Sequence, residues 1–199
     1  MDLFFFGSFN PISIAHYNLA KFALKKTKSN KVIFVPCSNK YLLDNKNDIY
    51  SPSIRLELIN LVKVNNPWME VSDIEINNVE KIRTYNSLLK LKDLGYSGKL
   101  LLGADNLKKL ETEWKYVGNI CKEFGIVCLE RNNSNIKKYI KNDKYLNSLS
   151  KYIKVITGPK EMQKISSTQI RDYLKKKDFE KVKEYLPIEV YNYFRSRDE

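Results

Sequence analysis

Two short segments, one near each end of the chain, concentrate residues able to handle phosphate. The first, Gly7-Ser8-Phe9-Asn10-Pro11-Ile12-Ser13-Ile14-Ala15-His16, follows an apolar run and opens a helical pattern. Backbone N–H groups at a helix start, reached through a glycine, attract anions, and His16, the single histidine among 199 residues, adds a side-chain donor. The second, Ile165-Ser166-Ser167-Thr168-Gln169-Ile170-Arg171, gathers three hydroxyls and a guanidinium around another predicted helix start. The planar fork of an arginine suits phosphate oxygens. Each segment alone has a plainer reading: a glycine after a strand often only turns the chain, and Ser166 with Gln169 fits a capping box that needs no ligand.

The elements that must carry these segments follow from hydrophobic spacing. Leu3–Phe6 reads as a buried strand, and His16–Lys26 carries Leu19, Ala20, Phe22, Ala23 and Leu24 at helical intervals. Val32–Pro36 is a second β-rich run, followed by a long polar stretch from Ser38 to Ser51. Pro52 stands near the start of a helix that runs through Val62, and Trp68–Ile76 reads as a strand. A helix around Tyr85–Leu94 leads to a strand at Lys99–Gly103, and Gly125–Leu129 and Tyr152–Ile156 supply two more. After Pro159 the pattern is helical: Ile165–Lys176, Phe179–Tyr185 and Pro187–Arg195. Strands alternating with helices imply an α/β fold, a Rossmann-like doubly wound parallel sheet with helices on both faces and a helical C-terminal segment from about residue 160. Ligands of such sheets sit at the carboxyl ends of the strands, near the point where strand order reverses. No repeat or low-complexity linker divides residues 1–199, so one domain is expected.

Composition narrows the classes. Hydrophobic residues make up 43% and charged residues 29%, as in a globular protein. The opening apolar run stops at Gly7 and lacks a basic flank, so it reads as neither signal peptide nor membrane span. Three cysteines, Cys37, Cys121 and Cys128, without disulfide or zinc spacing, point to a reducing cytoplasm, and one histidine rules out a His-rich metal site. A net charge of +12 suits polyanionic partners, but lysines are scattered through every segment rather than gathered in a patch, and no RNA-binding signature accompanies them.

Together the two segments resemble the (H/T)xGH and ISSTxxR signatures of the nucleotidyltransferase superfamily, and their pairing is far more specific than either half. Within it the chain resembles the nicotinate-nucleotide adenylyltransferases, which join nicotinate mononucleotide to ATP and release pyrophosphate in NAD biosynthesis. Gly103-Ala104-Asp105-Asn106-Leu107 followed by Trp114-Lys115 resembles that family's GxDN…W(K/Y) segment. The resemblance implies that Asp105, Trp114, Thr84 and Arg131 line the acceptor pocket, and that Lys40 is placed to reach a substrate phosphate. It further implies ATP contacts from Gly7, Ser8, Phe9, His16, Ser166, Ser167, Thr168 and Arg171, with Mg²⁺ accompanying the ATP. His16, assisted by Ser13, is expected at the α-phosphate, and Arg171 at the departing pyrophosphate. Each of these has a local alternative: Asp105 and Asn106 as turn formers, Trp114 as a packed aromatic, Arg131 and Lys40 as solvated charges.

The first motif departs from its common form. Phe6 stands for a glycine, Asn10 for an aspartate, Ser13 for a histidine and Ala15 for a second glycine. A serine still donates a hydrogen bond but carries no positive charge. Three readings therefore remain open: a nicotinate-nucleotide adenylyltransferase; a relative acting on pantetheine phosphate, nicotinamide mononucleotide or a cytidine nucleotide; and a basic nucleotide- or RNA-binding module.

Overall fold

The computed structural model describes residues 1–39, 48–78, 82–130, 135–158 and 166–197. Lys40, Arg131 and Ile165 lie outside them. In chain order the elements are β1 (Asp2–Gly7), α1 (Ile14–Thr27), β2 (Val32–Pro36), α2 (Pro52–Val64), β3 (Met69–Val71), α3 (Thr84–Asp93), β4 (Gly98–Gly103), α4 (Ala104–Lys108), α5 (Leu110–Glu113), α6 (Val117–Glu123), β5 (Ile126–Glu130), α7 (Ile136–Asn142), α8 (Lys144–Ser148), β6 (Ile153–Thr157), α9 (Ser167–Lys175), α10 (Phe179–Val182) and α11 (Ile188–Arg195).

The six described strands form one sheet in the order β3-β2-β1-β4-β5-β6, and every pairing is parallel. The direction of winding reverses between β1 and β4, which makes their carboxyl ends the switch point. Alternation along each strand sends Leu3, Phe5, Phe34, Leu101 and Val127 to one face, under α1, α2 and the C-terminal helices. Phe4, Ile33, Val35, Leu100 and Leu102 go to the other face, under α3 to α8. Both faces are covered, so the strands are near-continuous apolar runs, as parallel sheets require.

The doubly wound sheet expected from the sequence is what the chain forms. Two details differ. The strand expected over Trp68–Ile76 ends at Val71, because the chain leaves the sheet into a turn that buries Ile76 and Glu75 instead. The stretch from Ala104 to Glu123, for which no helices were expected, winds into three short ones, α4 to α6. Among the described residues no helix is long and apolar enough to cross a membrane.

Candidate active site

At the switch point a cavity of about 680 Å³ opens over the ends of β1 and β4, within the usual size of a small-molecule site. Gly7, Ser8, Ser13, Ala15 and His16 line one side, and Thr84, Asp105 and Trp114 line another. Ser167, from the second phosphate segment, closes it. Residues separated by up to 160 positions in sequence thus share one space.

The loop into α1 is shaped by Phe9, not by a special conformation of Gly7. Phe9 has a positive φ of 43°, which turns its ring inward, fully buried, against Phe5, Phe34 and His16 at centroid distances of 5.2–5.3 Å. A Cβ on Gly7 would come within 2.9 Å of Phe9 Cζ. The glycine is therefore needed for close approach. The ring of Phe9, expected at ATP, is a core side chain and does not line the cavity.

Ser13 caps α1 and orients the histidine. Its hydroxyl accepts the His16 main-chain N–H at 3.4 Å and lies 2.8 Å from His16 Nδ1, while the Ser13 main-chain N–H donates to that same Nδ1 at 3.2 Å. An Nδ1 that accepts a main-chain N–H holds no hydrogen of its own, so the neutral ring carries its hydrogen on Nε2. The expectation that Ser13 would serve as a second phosphate donor is thereby revised: the serine is buried and its hydroxyl is engaged in the cap and the ring.

The second segment divides in the same way. Ser166 forms the capping box with Gln169, accepting its N–H at 3.2 Å. Thr168 Oγ1 accepts from Arg171 Nη2 at 3.3 Å. Arg171, expected at the pyrophosphate, is 5% exposed and outside the cavity lining. It donates to the Asn10 carbonyl at 3.0 Å, and its Nε lies 3.4 Å from Asp48 Oδ2. A buried guanidinium must find acceptors and a counter-charge, and Asn10 and Asp48 supply them. Lys175 also reaches Asp48, at 2.7 Å, and this pair holds the Asp48 carboxyl below the usual carboxylate range. The side chain of Asn10 completes the clasp: Oδ1 accepts the Tyr50 N–H at 2.9 Å and Nδ2 donates to the Asp48 carbonyl at 3.1 Å.

A second buried arginine escaped the sequence reading. Arg55 of α2 is fully buried and donates to the Ser8 carbonyl and the Cys37 carbonyl, both at 2.7 Å. It fastens the loop after β1 to the end of β2, and burial brings its pKa down to about 10. Glu75 was also missed. It is 8% exposed, lines the cavity and accepts the Ser87 hydroxyl. Burial pushes its carboxyl up to about 7, against the opposing effect of hydrogen bonds from Ser87 and Cys37. Its signal was a carboxylate set between two isoleucines, Ile74 and Ile76, with no basic residue next to it.

A switch-point cavity that unites a glycine loop, a capped histidine and a hydroxyl-bearing helix start defines a nucleotidyltransferase of the Rossmann-like kind. The sequence pattern of the family described as cytidylyltransferase-like matches residues 4–173, and the chain belongs to that family. It is 34% identical over 177 residues to a Fusobacterium nucleatum protein described as a probable nicotinate-nucleotide adenylyltransferase, covering 86% of each chain. A protein of the same description from Caldicellulosiruptor bescii is 32% identical, over 84% of this chain and 83% of its own. The structure of Plasmodium falciparum nicotinic acid mononucleotide adenylyltransferase complexed with APC superposes with a TM-score of 0.74 at 21% identity, over 99% of this chain and 95% of that one. That likeness extends the shared fold to nearly the whole length.

Proposed function

We propose that this chain is a nicotinate-nucleotide adenylyltransferase, which transfers AMP from ATP to nicotinate mononucleotide and releases pyrophosphate. The observation that carries the reading is the shared cavity: a flat aromatic, Trp114, with Thr84 and Asp105, stands in the same space as His16, Gly7 and Ser167. A pyridine ring has a stacking partner there, beside a phosphate-handling loop. The similarity to two proteins of that description over most of their length supports it.

The chemistry is an in-line displacement. An oxygen of the acceptor phosphate forms a bond to the α-phosphorus of ATP while the bond to the bridging oxygen of pyrophosphate breaks. Such a reaction needs positioning and charge stabilisation more than proton transfer. In this reading the Nε2–H edge of His16 donates to the α-phosphate as charge builds there, with Ser13 as its positioning residue. Main-chain groups of Gly7 and Ser8, and Ser167, face the triphosphate, while Arg171 and Arg55 hold the backbone of the loop. The ATP would be taken as its Mg²⁺ complex, the ion offsetting the charge of the phosphate oxygens, and Asp105 is a carboxylate of the lining available to it. We place the enzyme in a reducing cytoplasm, where its three thiols suit the conditions.

The test incubates the protein with ATP, Mg²⁺ and each candidate acceptor, following pyrophosphate and dinucleotide. Nicotinate mononucleotide should give both products faster than nicotinamide mononucleotide or pantetheine phosphate. Pyrophosphate release with none of them would favour a nucleotide-binding module instead.

A further inference from the structure

One carboxyl in the cavity has no part in the displacement described above. Glu75 stands in the lining with its side chain almost wholly buried. Its described hydrogen-bond partners are neutral: the hydroxyl of Ser87, one turn into α3, and the thiol of Cys37 at the end of β2. Among the described residues no lysine or arginine forms an ion pair with it. Lys90 of α3 acts on it through space, but that lysine is exposed. The other charged or titratable groups lining the same cavity are His16, Arg83, Asp105, Lys109, Glu113 and Lys115, and Lys109 and Glu113 are already paired with each other at 3.1 Å.

A carboxylate held by neutral donors in a partly dry wall is poised between its two forms. The acceptor brings further negative charge into that space, on its phosphate and on its pyridine carboxylate. Two anions in one low-dielectric cavity repel, and the cheaper arrangement is to neutralise the one that can bind a proton.

We propose that Glu75 takes up one proton when the anionic mononucleotide enters the cavity, so that acceptor binding is coupled to protonation of this carboxyl. The proton passes from solvent buffer to a Glu75 oxygen, and no other bond changes. The inference rests on the acceptor reading given above. It makes Glu75 a positioning residue whose charge state, more than its shape, sets the affinity for the acceptor.

Calorimetric titration of the whole protein with nicotinate mononucleotide at pH 8, in buffers of different ionisation enthalpy, reads the proton directly. The observed heat should vary with the buffer with a slope of roughly 0.9 proton, the fraction left to bind when the free carboxyl titrates near 7. Glu75→Gln keeps an acceptor for Ser87 and cannot titrate, so its slope should fall by that amount and its affinity at pH 8 should be roughly tenfold tighter than wild type. Ser87→Ala removes a donor to the charged form, which should move the midpoint of proton uptake to higher pH. A merely structural Glu75 would produce neither change. Binding with no buffer dependence, or a dependence kept in Glu75→Gln, overturns the coupling. If nicotinate mononucleotide gives no heat while another mononucleotide binds with the same proton uptake, the acceptor reading fails and the coupling stands. No heat from any mononucleotide overturns both.

Discussion

The hydroxyl of Ser13 lies 2.8 Å from Nδ1 of His16, and the main-chain N–H of the same serine donates to that atom at 3.2 Å. One residue therefore caps α1 and fixes the ring that faces the cavity. His16→Ala should lower turnover by roughly 10²–10³, or about 2.7–4 kcal/mol, the usual loss when one transition-state donor is removed. Steady-state pyrophosphate release measures it, and turnover within threefold of wild type would remove His16 from the reaction.

Ser13→Ala separates capping from chemistry. It should cost about 1 kcal/mol of stability as the cap is lost, and lower turnover by less than His16→Ala because the main-chain donor to Nδ1 remains. Since Ser13 acts through the ring, the double variant should turn over no more slowly than His16→Ala alone. Additive losses in a kinetic double-mutant cycle would instead place the Ser13 hydroxyl on the substrate.

Arg171 links segments that the sequence keeps 161 residues apart, through its hydrogen bond to the Asn10 carbonyl. Arg171→Met should lower the unfolding free energy by about 1.5–3 kcal/mol, the range for a lost charge-assisted hydrogen bond, measured by urea denaturation. Asp48→Asn should cost less, because Asp48 is more exposed than its partner and solvent screens it. A variant at Arg171 with wild-type stability but weakened ATP binding would return this side chain to the triphosphate.

How much of this was legible in the sequence follows range of interaction. The strands β1, β2, β4 and β5 were visible because their apolar residues run together and are buried in the sheet, and β6 because Ile153, Val155 and Ile156 stand in a short β-rich run even though Lys154 and Thr157 are exposed. The cap at Ser166 and the proline at the start of α2 were visible because they are local. The helices from Ala104 to Glu123 were not, since pieces of one or two turns hold too few residues to show a period. The roles of Arg55, Arg171 and Asp48 depend on carbonyls and charges 18 to 161 residues away, beyond any local pattern. The family motif brought Phe9 and Arg171 to the site by position, whereas packing decides which way each side chain turns.

Gly7→Ala tests the packing behind the loop. The added methyl would meet the Phe9 ring at 2.9 Å, and that ring is already enclosed by Phe5, Phe34 and His16. The ring has to shift, at a cost of about 1–3 kcal/mol for overpacking, and His16 would shift with it. Stability and turnover should therefore fall together. A second change, Phe9→Leu, should recover part of the stability by opening space near Gly7, and a Gly7→Ala variant with unchanged turnover would detach the loop packing from the histidine.

The pH dependence of stability should report Glu75 even without substrate. Its carboxyl titrates near 7 in the folded protein against 4.5 ordinarily, burial being the main cause. A raised carboxyl pKa means that the folded state binds more protons than the unfolded state between pH 4.5 and 7, so stability declines as pH rises through that window. The contribution is neutral below it and unfavourable above it, on the order of 3 kcal/mol at most for a shift of this size. Glu75→Gln should remove this slope, since the amide has no proton to lose and its oxygen still accepts from Ser87. Chemical denaturation at pH 5, 6.5 and 8 should show the variant gaining on wild type at each step upward. Parallel profiles for the two proteins would mean that Glu75 is ionised throughout, with its charge compensated by neighbours other than Ser87 and Cys37.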